Sequence, residues 1–266
     1  VHIFNPSAFA LGLFSMVLIT TGTTDLTWAP DISSSLTLAP NIYLFLFLAG
    51  LVVMHYFHIT LVAGTAALVL FGSSALYAAA TGVPYFLDSD IPAAVFLGLH
   101  LLVTDPSTSP RTPLGKMIFG ALYGVGVFAL YTLLGFFGAP TFYDKLLCVP
   151  LLNLSVIAID RAVCSIQSPA LLNVWKPTWL GGRANLAHMC IWAAVFLLMS
   201  GLGRTDGQHP GDSLPFWEQA CAERKSNACE RLLSLEATYC GDSSAWACNE
   251  LGRHYRRGDI TESDPQ

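Results

Sequence analysis

Seven apolar stretches dominate this sequence and restrict it to folds that bury them in lipid or against one another. They lie near 6–22, 40–56, 58–80, 91–104, 115–137, 145–160 and 186–203. A helix of roughly 20 apolar residues crosses about 30 Å of hydrocarbon, and tilted or broken helices relax that length. We therefore predict an all-α, polytopic membrane bundle of about seven spans. The fourth and sixth stretches are short, which favours half-helices that meet irregular backbone.

Charge is distributed unevenly along the chain. Only 12% of its residues are charged, against roughly one quarter in a soluble domain. Residues 1–203 hold 13 charged side chains and residues 204–266 hold 18. We predict a membrane domain at 1–203, a linker at 204–212, a soluble helical domain at 213–258 and a disordered tail at 259–266. The net charge of -5 includes no basic stripe, so nucleic acid is not an expected partner.

The connections predict an orientation in the membrane. Acidic loops without Lys or Arg lie at 23–39, 81–90 and 138–144. The basic residues of the other connections are Arg111, Arg161, Lys176 and Arg183. Lys and Arg in short loops favour the cytoplasm, and Lys145 is the single exception to the alternation. We therefore expect the C-terminal domain to lie outside the cytoplasm, which is the periplasmic side for a protein of the bacterial inner membrane.

Four cysteines of the soluble segment form two Cys-x7-Cys units, which are Cys221 with Cys229 and Cys240 with Cys248. Even pairs at matched spacing in an exported segment favour disulfides. Zinc is the alternative, but structural zinc sites usually have two to four residues between cysteines. We predict disulfides here, without a fixed connectivity.

The soluble segment has an internal repeat. We predict helices at 213–224, 226–239 and 243–257, and the sequences Gln219–Cys229 and Tyr239–Gly252 are related to each other. Their Ala-Cys-x7-Cys units resemble the cysteine-rich Sel-like repeats, relatives of the tetratricopeptide family. That resemblance implies a docking module for an exported partner protein, and a stapled cap without a ligand is the alternative. Repeat arrays usually need about three units to bury a core, so we expect these two to be supported by disulfides, the membrane domain or a partner protein.

A polar, proline-rich run from Leu102 to Lys116 separates two apolar stretches. Irregular backbone at membrane depth survives only where it is buried in protein or lines a cavity. Its candidate ligand-binding residues are Asp105, Ser107, Thr108 and Ser109. A turn in which Asp and Ser cap the next helix is the equally plausible interpretation.

Three separated motifs resemble one family when they are taken in order. They are Ile3-Phe-Asn-Pro-Ser-Ala8, Thr104-Asp-Pro-Ser-Thr-Ser-Pro-Arg-Thr-Pro-Leu-Gly-Lys-Met-Ile-Phe-Gly120 and Phe142-Tyr-Asp-Lys-Leu-Leu-Cys-Val-Pro-Leu-Leu-Asn153 with the following Ile159-Asp160. In residues 2–162 the chain is similar to the D subunit of Rnf-type electron-transport complexes and the B subunit of the sodium-pumping NADH:quinone oxidoreductase.

That resemblance implies a helical membrane subunit that binds a flavin and works beside other membrane subunits. The family attaches FMN to a Thr in a Ser-Gly/Ala-Thr context, and the corresponding loop 20–37 has no such motif. The expected cofactor is therefore non-covalent FMN or riboflavin, or none. Asn5 and Asn153 are further candidate flavin-binding residues. The alternative is that each forms hydrogen bonds that stabilise the helix bundle.

Histidines in the apolar stretches are the weakest candidates. His55, His58, His100 and His188 lie in or beside predicted spans, and neutral imidazole is a common haem ligand. His100, five residues before Asp105, and His188 are weak metal candidates, but we predict no metal site.

Three functions remain open from the sequence. The first is a membrane subunit of a multi-subunit electron-transport complex that binds a flavin or relays electrons. The second is a non-catalytic scaffold subunit whose exported repeat docks a partner protein. Because no nucleophile-base pair is visible, the chain is not expected to be an enzyme by itself. A small-solute transporter with a half-helix core is a third option.

Overall fold

The computed structural model describes residues 3–36, 39–86, 89, 91–139, 142–166, 183–205 and 209–258. Within those ranges the regular structure is helical and contains no strand, which confirms the predicted all-α class. The predicted disordered tail at 259–266 lies outside the described residues, as does Lys176 of the 161–185 connection.

Nine α-helices precede the soluble segment in the described residues. They are α1 (Pro6–Thr21), α2 (Ala29–Leu36), α3 (Ile42–Phe57), α4 (Thr60–Thr81), α5 (Ala93–Leu97), α6 (Pro113–Phe136), α7 (Tyr143–Asn153), α8 (Val156–Ile166) and α9 (Ala184–Gly201). The soluble segment adds α10 (Leu214–Ala222), α11 (Ala228–Gly241) and α12 (Ala245–Arg257). Each predicted apolar stretch therefore contains at least one helix.

Fewer helices than predicted are long enough to cross a membrane. Among the described residues, three helices have the necessary length and composition, and these are α4, α6 and α9. The count rises to four if α7 and α8, bent by 53° at their break, form one span. α1, α3 and the α5 segment are apolar but shorter. The structure thus supports three or four spans, and the prediction of seven is not confirmed.

Of the two stretches predicted as half-helices, the sixth is bent at a break, and the fourth is a short helix that ends in a π-helical turn. α5 continues into a π-helical turn at Gly98–Leu102, and such turns are frequent at functional sites. α7 contains Pro150, which has no backbone N–H to donate to the carbonyl of Leu146. A Cβ on Gly12 of α1 would lie 2.7 Å from Pro150 Cγ. α1 therefore packs closely along the proline side of α7.

The chain forms two compact units. The first comprises Val1–Ser73 and Ile91–Gly207, and the second comprises Ser74–Asp90 and Gln208–Gln266. The last turns of α4 and the loop after it therefore belong with the soluble segment. The sequence placed the domain boundary at 203–213 and left residues 74–90 in the membrane domain. These residues are distant in sequence from 213–258, so no local pattern joins the two.

Small residues hold the helices of the first unit close together. Gly120 and Gly124 of α6 face α4, where a side chain at either position would meet the backbone of Val62 or Ala66. This is the small-xxx-small spacing that brings helices together in membranes. Asn185 of α9 links two further helices, since its Nδ2 donates to Met54 O and its Oδ1 accepts from Thr60 Oγ1, each at 2.9 Å.

A tryptophan-centred core forms the second unit. Trp217 is buried with Ala220, Ala228 and Leu232, and its Nε1 donates to Gly211 O at 2.6 Å. Val83 is part of the same core, and Tyr77 packs against it. The additional support expected for a two-repeat segment therefore comes from the end of α4 and the loop that follows.

Two disulfides close this unit, and they confirm the predicted bonds. Cys221 is joined to Cys229, and Cys240 to Cys248. Each bond connects the end of one helix to the beginning of the next. Each disulfide joins the two cysteines of one Cys-x7-Cys unit, a connectivity that the sequence left open.

Candidate functional site

Asn5 caps the first helix and also contacts the π-helical turn that precedes the second motif. Its Oδ1 accepts hydrogen bonds from Ser7 N at 3.1 Å and from Ala8 N at 3.3 Å, which satisfies the free amides at the beginning of α1. Its Nδ2 donates to Leu102 O at 3.5 Å, 97 positions along the chain. Asn5 thus fastens the beginning of α1 to the end of the π-helical turn.

The loop after that turn is organised around Asp105. Asp105 Oδ1 accepts from Ser107 N at 2.9 Å and from Ser107 Oγ at 2.8 Å, while Oδ2 accepts from Thr108 Oγ1 at 3.3 Å. Ser109 Oγ donates to the Asp105 carbonyl at 2.7 Å. These four predicted ligand-binding residues therefore lie together, but their polar groups bind one another. This is the arrangement expected of a stable turn.

The third motif meets the same loop through Asp160. Asp160 Oδ1 on α8 accepts a hydrogen bond from Arg111 N at 3.2 Å. One residue further on, Thr112 caps α6 by accepting from Gly115 N at 3.0 Å. This carboxylate helps to fix the loop, because α8 passes the beginning of α6.

Asn153 is the one predicted site residue whose side chain keeps its hydrogen-bonding capacity. It is 2% exposed, at the last position of α7 beside the 53° break. Neither its Oδ1 nor its Nδ2 has a hydrogen-bond partner among the described residues. A buried amide without partners costs free energy, so such groups usually face water or a ligand. Asn153 therefore offers one donor and one acceptor inside the helical unit.

Sequence reasoning missed a buried ion pair at the beginning of α7. Asp144 and Lys145 lie 3.1 Å apart, and both are buried. The nearby hydroxyl of Tyr143 is buried without a hydrogen-bond partner in the described part of the chain, as is that of Tyr123 on α6. We assigned Asp144 to an outer loop. The signal in the sequence was Lys145 itself, since it alone broke the alternation of acidic and basic connections.

The weak metal candidates do not form a metal centre. His100 is fully buried, and its Nδ1 lies 2.8 Å from Phe96 O while its Nε2 accepts from Trp192 Nε1 at 3.3 Å. His188 is a half-buried residue of α9. Across the described residues, no group of three or more His, Cys, Asp or Glu side chains is placed to hold a metal ion.

No protein-family model, curated protein or solved structure matches this chain. The resemblance to the Rnf-D type therefore stays a prediction that rests on three sequence motifs. The resemblance of residues 213–258 to Sel-like repeats also stays a prediction.

Proposed function

We propose that this chain is a membrane subunit of a multi-subunit electron-transport complex of the Rnf-D type. The observation that carries the proposal is the convergence of the three motifs. Asn5 of the first motif contacts Leu102, two residues before the second, and Asp160 of the third binds Arg111 in the second. The two contacts join residues 97 and 49 positions apart in the sequence, and motifs that serve one site are expected to meet in this way.

Non-covalent FMN or riboflavin is the proposed cofactor, and the residues fit it only in part. Asn153 offers the alternating donor and acceptor that the edge of a flavin ring requires. The carboxylate and hydroxyls of Asp105, Ser107 and Thr108 are occupied by one another. They would have to exchange these bonds for bonds to a flavin. We therefore assign no electron-transfer step to this chain.

The test is the flavin content of the complex purified from its native membrane. We expect flavin absorbance and an acid-extractable, non-covalent flavin. Asn153→Leu is expected to reduce the extracted amount, whereas Ser165→Ala on an exposed part of α8 is not. A complex that contains this subunit but no flavin would remove the cofactor from the proposal. A flavin content unchanged by Asn153→Leu would remove Asn153 from the site.

A scaffold role is the second candidate. It is favoured by the Asp105 loop, whose polar groups bind one another. A turn whose polar groups are already paired needs no ligand to be stable. In this role the disulfide-closed unit docks an exported protein, while the membrane helices bind other subunits. Deletion of residues 213–258 should then disrupt assembly on a native gel, whereas deletion of 259–266 should not. An intact assembly after the first deletion would argue against docking.

We further propose that the second unit lies on the periplasmic side of a bacterial inner membrane. The loop at 81–90 has acidic residues and no Lys or Arg, and Val83 in it shares a core with Trp217 of the soluble segment. Both parts must therefore lie on the same side of the membrane. Disulfides persist in oxidising compartments. Protease added to spheroplasts should cleave the second unit, and protection from it would place the unit in the cytoplasm.

A further inference from the structure

Glu236 is a buried carboxylate in the middle of the second unit. It lies on α11 and is 1% exposed. Neither carboxylate oxygen has a hydrogen-bond donor within ordinary geometry among the described residues. The Nε2 of His254 on α12 lies 3.4 Å from Oε1 and forms an ion pair with it when protonated. A buried carboxylate needs such a partner, because an isolated charge in a protein interior is costly.

The other charged groups around Glu236 oppose its ionisation. Burial raises the pKa of Glu236, and the carboxylates of Glu250 on α12 and Glu218 on α10 raise it further. His254 acts in the opposite direction. Glu250 is itself bound by Arg253, which leaves His254 as the counter-charge for Glu236. The charge of one imidazole thus decides whether the buried carboxylate is compensated.

The position of this pair determines which part of the unit it can control. The Cys240–Cys248 disulfide fastens the end of α11 to the first turns of α12. His254 lies six residues beyond Cys248, about 9 Å further along the helix. Through the disulfide, the beginning of α12 stays attached whatever the pH. The second half of α12, from Leu251 to Arg257, depends on noncovalent contacts, among them His254 with Glu236.

We propose that His254 and Glu236 form a proton-sensitive latch that closes the second half of α12 on α11 at mildly acidic pH and loosens it at alkaline pH. Histidine is the side chain that ordinarily changes charge between pH 5 and 8. When His254 loses its proton, the Glu236 carboxylate stays buried beside Glu250 and Glu218 without a counter-charge. The strain is relieved when the free half of α12 moves away and water reaches the carboxylate.

The pH dependence that Glu236 contributes has a definite sign. The folded state raises the pKa of Glu236, so its proton stabilises the fold. That stabilisation is complete below the unfolded pKa and is lost as the pH rises through the raised value. The second half of α12 should therefore be held most weakly at the alkaline end.

Hydrogen exchange of the full-length protein in detergent tests the latch. Protection is measured from pH 5.5 to 8.5 for peptides that cover α12, and it is expressed relative to the unstructured exchange rate at each pH. We expect protection of residues 251–257 to fall by about five-fold across this range, the effect of losing a partly buried ion pair. Peptides from α10 should keep their protection and report that the unit remains folded.

Two variants separate the latch from general destabilisation. Glu236→Gln removes the buried charge and should abolish the pH dependence, while His254→Gln should lower protection most at the alkaline end, where Glu236 is ionised. The matched control is Glu223→Gln, because Glu223 is an exposed carboxylate of the same unit that pairs with Lys225 at 2.8 Å. It should leave the wild-type profile unchanged. The proposal fails if wild-type protection does not change with pH, or if Glu236→Gln responds as the wild type does.

Discussion

Trp192 donates a hydrogen bond from its Nε1 to Nε2 of His100 at 3.3 Å, and so links α9 to the π-helical turn. The other ring nitrogen, Nδ1, faces the carbonyl of Phe96 at 2.8 Å. A carbonyl only accepts and an indole N–H only donates, so His100 carries its proton on Nδ1 and is neutral. Both nitrogens are engaged, which explains how an imidazole is accommodated beside the rings of Phe47 and Phe96.

Trp192→Phe should destabilise the helical unit. The substitution keeps an aromatic ring in the cluster but leaves His100 Nε2 buried without a donor, at a cost of about 1–3 kcal/mol. The measurement is the thermal unfolding of the detergent-solubilised protein. Trp28→Phe is the control, because Trp28 is 81% exposed. Equal effects of the two substitutions would show that the His100 bond contributes nothing.

Gly50→Ala should also destabilise this cluster, for a steric reason. A Cβ at Gly50 of α3 would overlap with the ring of His100, and overpacking of a dense core costs about 1–3 kcal/mol. Gly64→Ala in α4 is the matched substitution, since a Cβ there meets no atom within 4 Å. It should be neutral or stabilising, because Ala is the better helix former. A stable Gly50→Ala protein would mean that α3 and the π-helical turn separate easily.

Asp160→Ala should loosen the Asp105 loop. The change removes the acceptor for Arg111 N, and a hydrogen bond to a charged group is worth about 1.5–3 kcal/mol. Arg111 is exposed, so the rate of tryptic cleavage after it reports the mobility of the loop. Cleavage should become faster in Asp160→Ala and less so in Asp160→Asn, which keeps an acceptor. Cleavage after Arg161 provides the internal reference, and a parallel rise at both sites would indicate general unfolding instead.

Removal of the Cys221–Cys229 disulfide should lower the stability of the second unit. A bond that closes a loop of this length is worth about 2–3 kcal/mol through the entropy of the unfolded chain. The double substitution Cys221→Ser with Cys229→Ser is compared with Cys164→Ser, an exposed free cysteine. Proteolysis of residues 214–257 should accelerate in the first protein alone. An unchanged rate would show that the Trp217 core holds the unit without the bond.

Helix positions followed from the sequence, and the details of the site did not. The apolar stretches located α3, α4, α6 and α9 because burial of their side chains requires a helix in lipid and in protein alike. The Cys-x7-Cys spacing likewise predicted both disulfides. The role of Asp105 was left between a ligand and a turn, since composition cannot show whether hydroxyls bind one another. The structure favours the turn, through the contacts of Ser107 and Thr108.

The sequence by itself determined the all-helical class, the breaks near Leu102 and Asn153, and the stapled segment, because hydropathy, proline and cysteine spacing act on neighbouring residues. Only the tertiary structure decided that Val83 completes the Trp217 core, that Asp144 and Lys145 are buried together, and that Asp160 binds Arg111. These contacts join distant parts of the chain or depend on which side of a helix faces inward. Such relationships depend on how the helices pack, which no local pattern encodes.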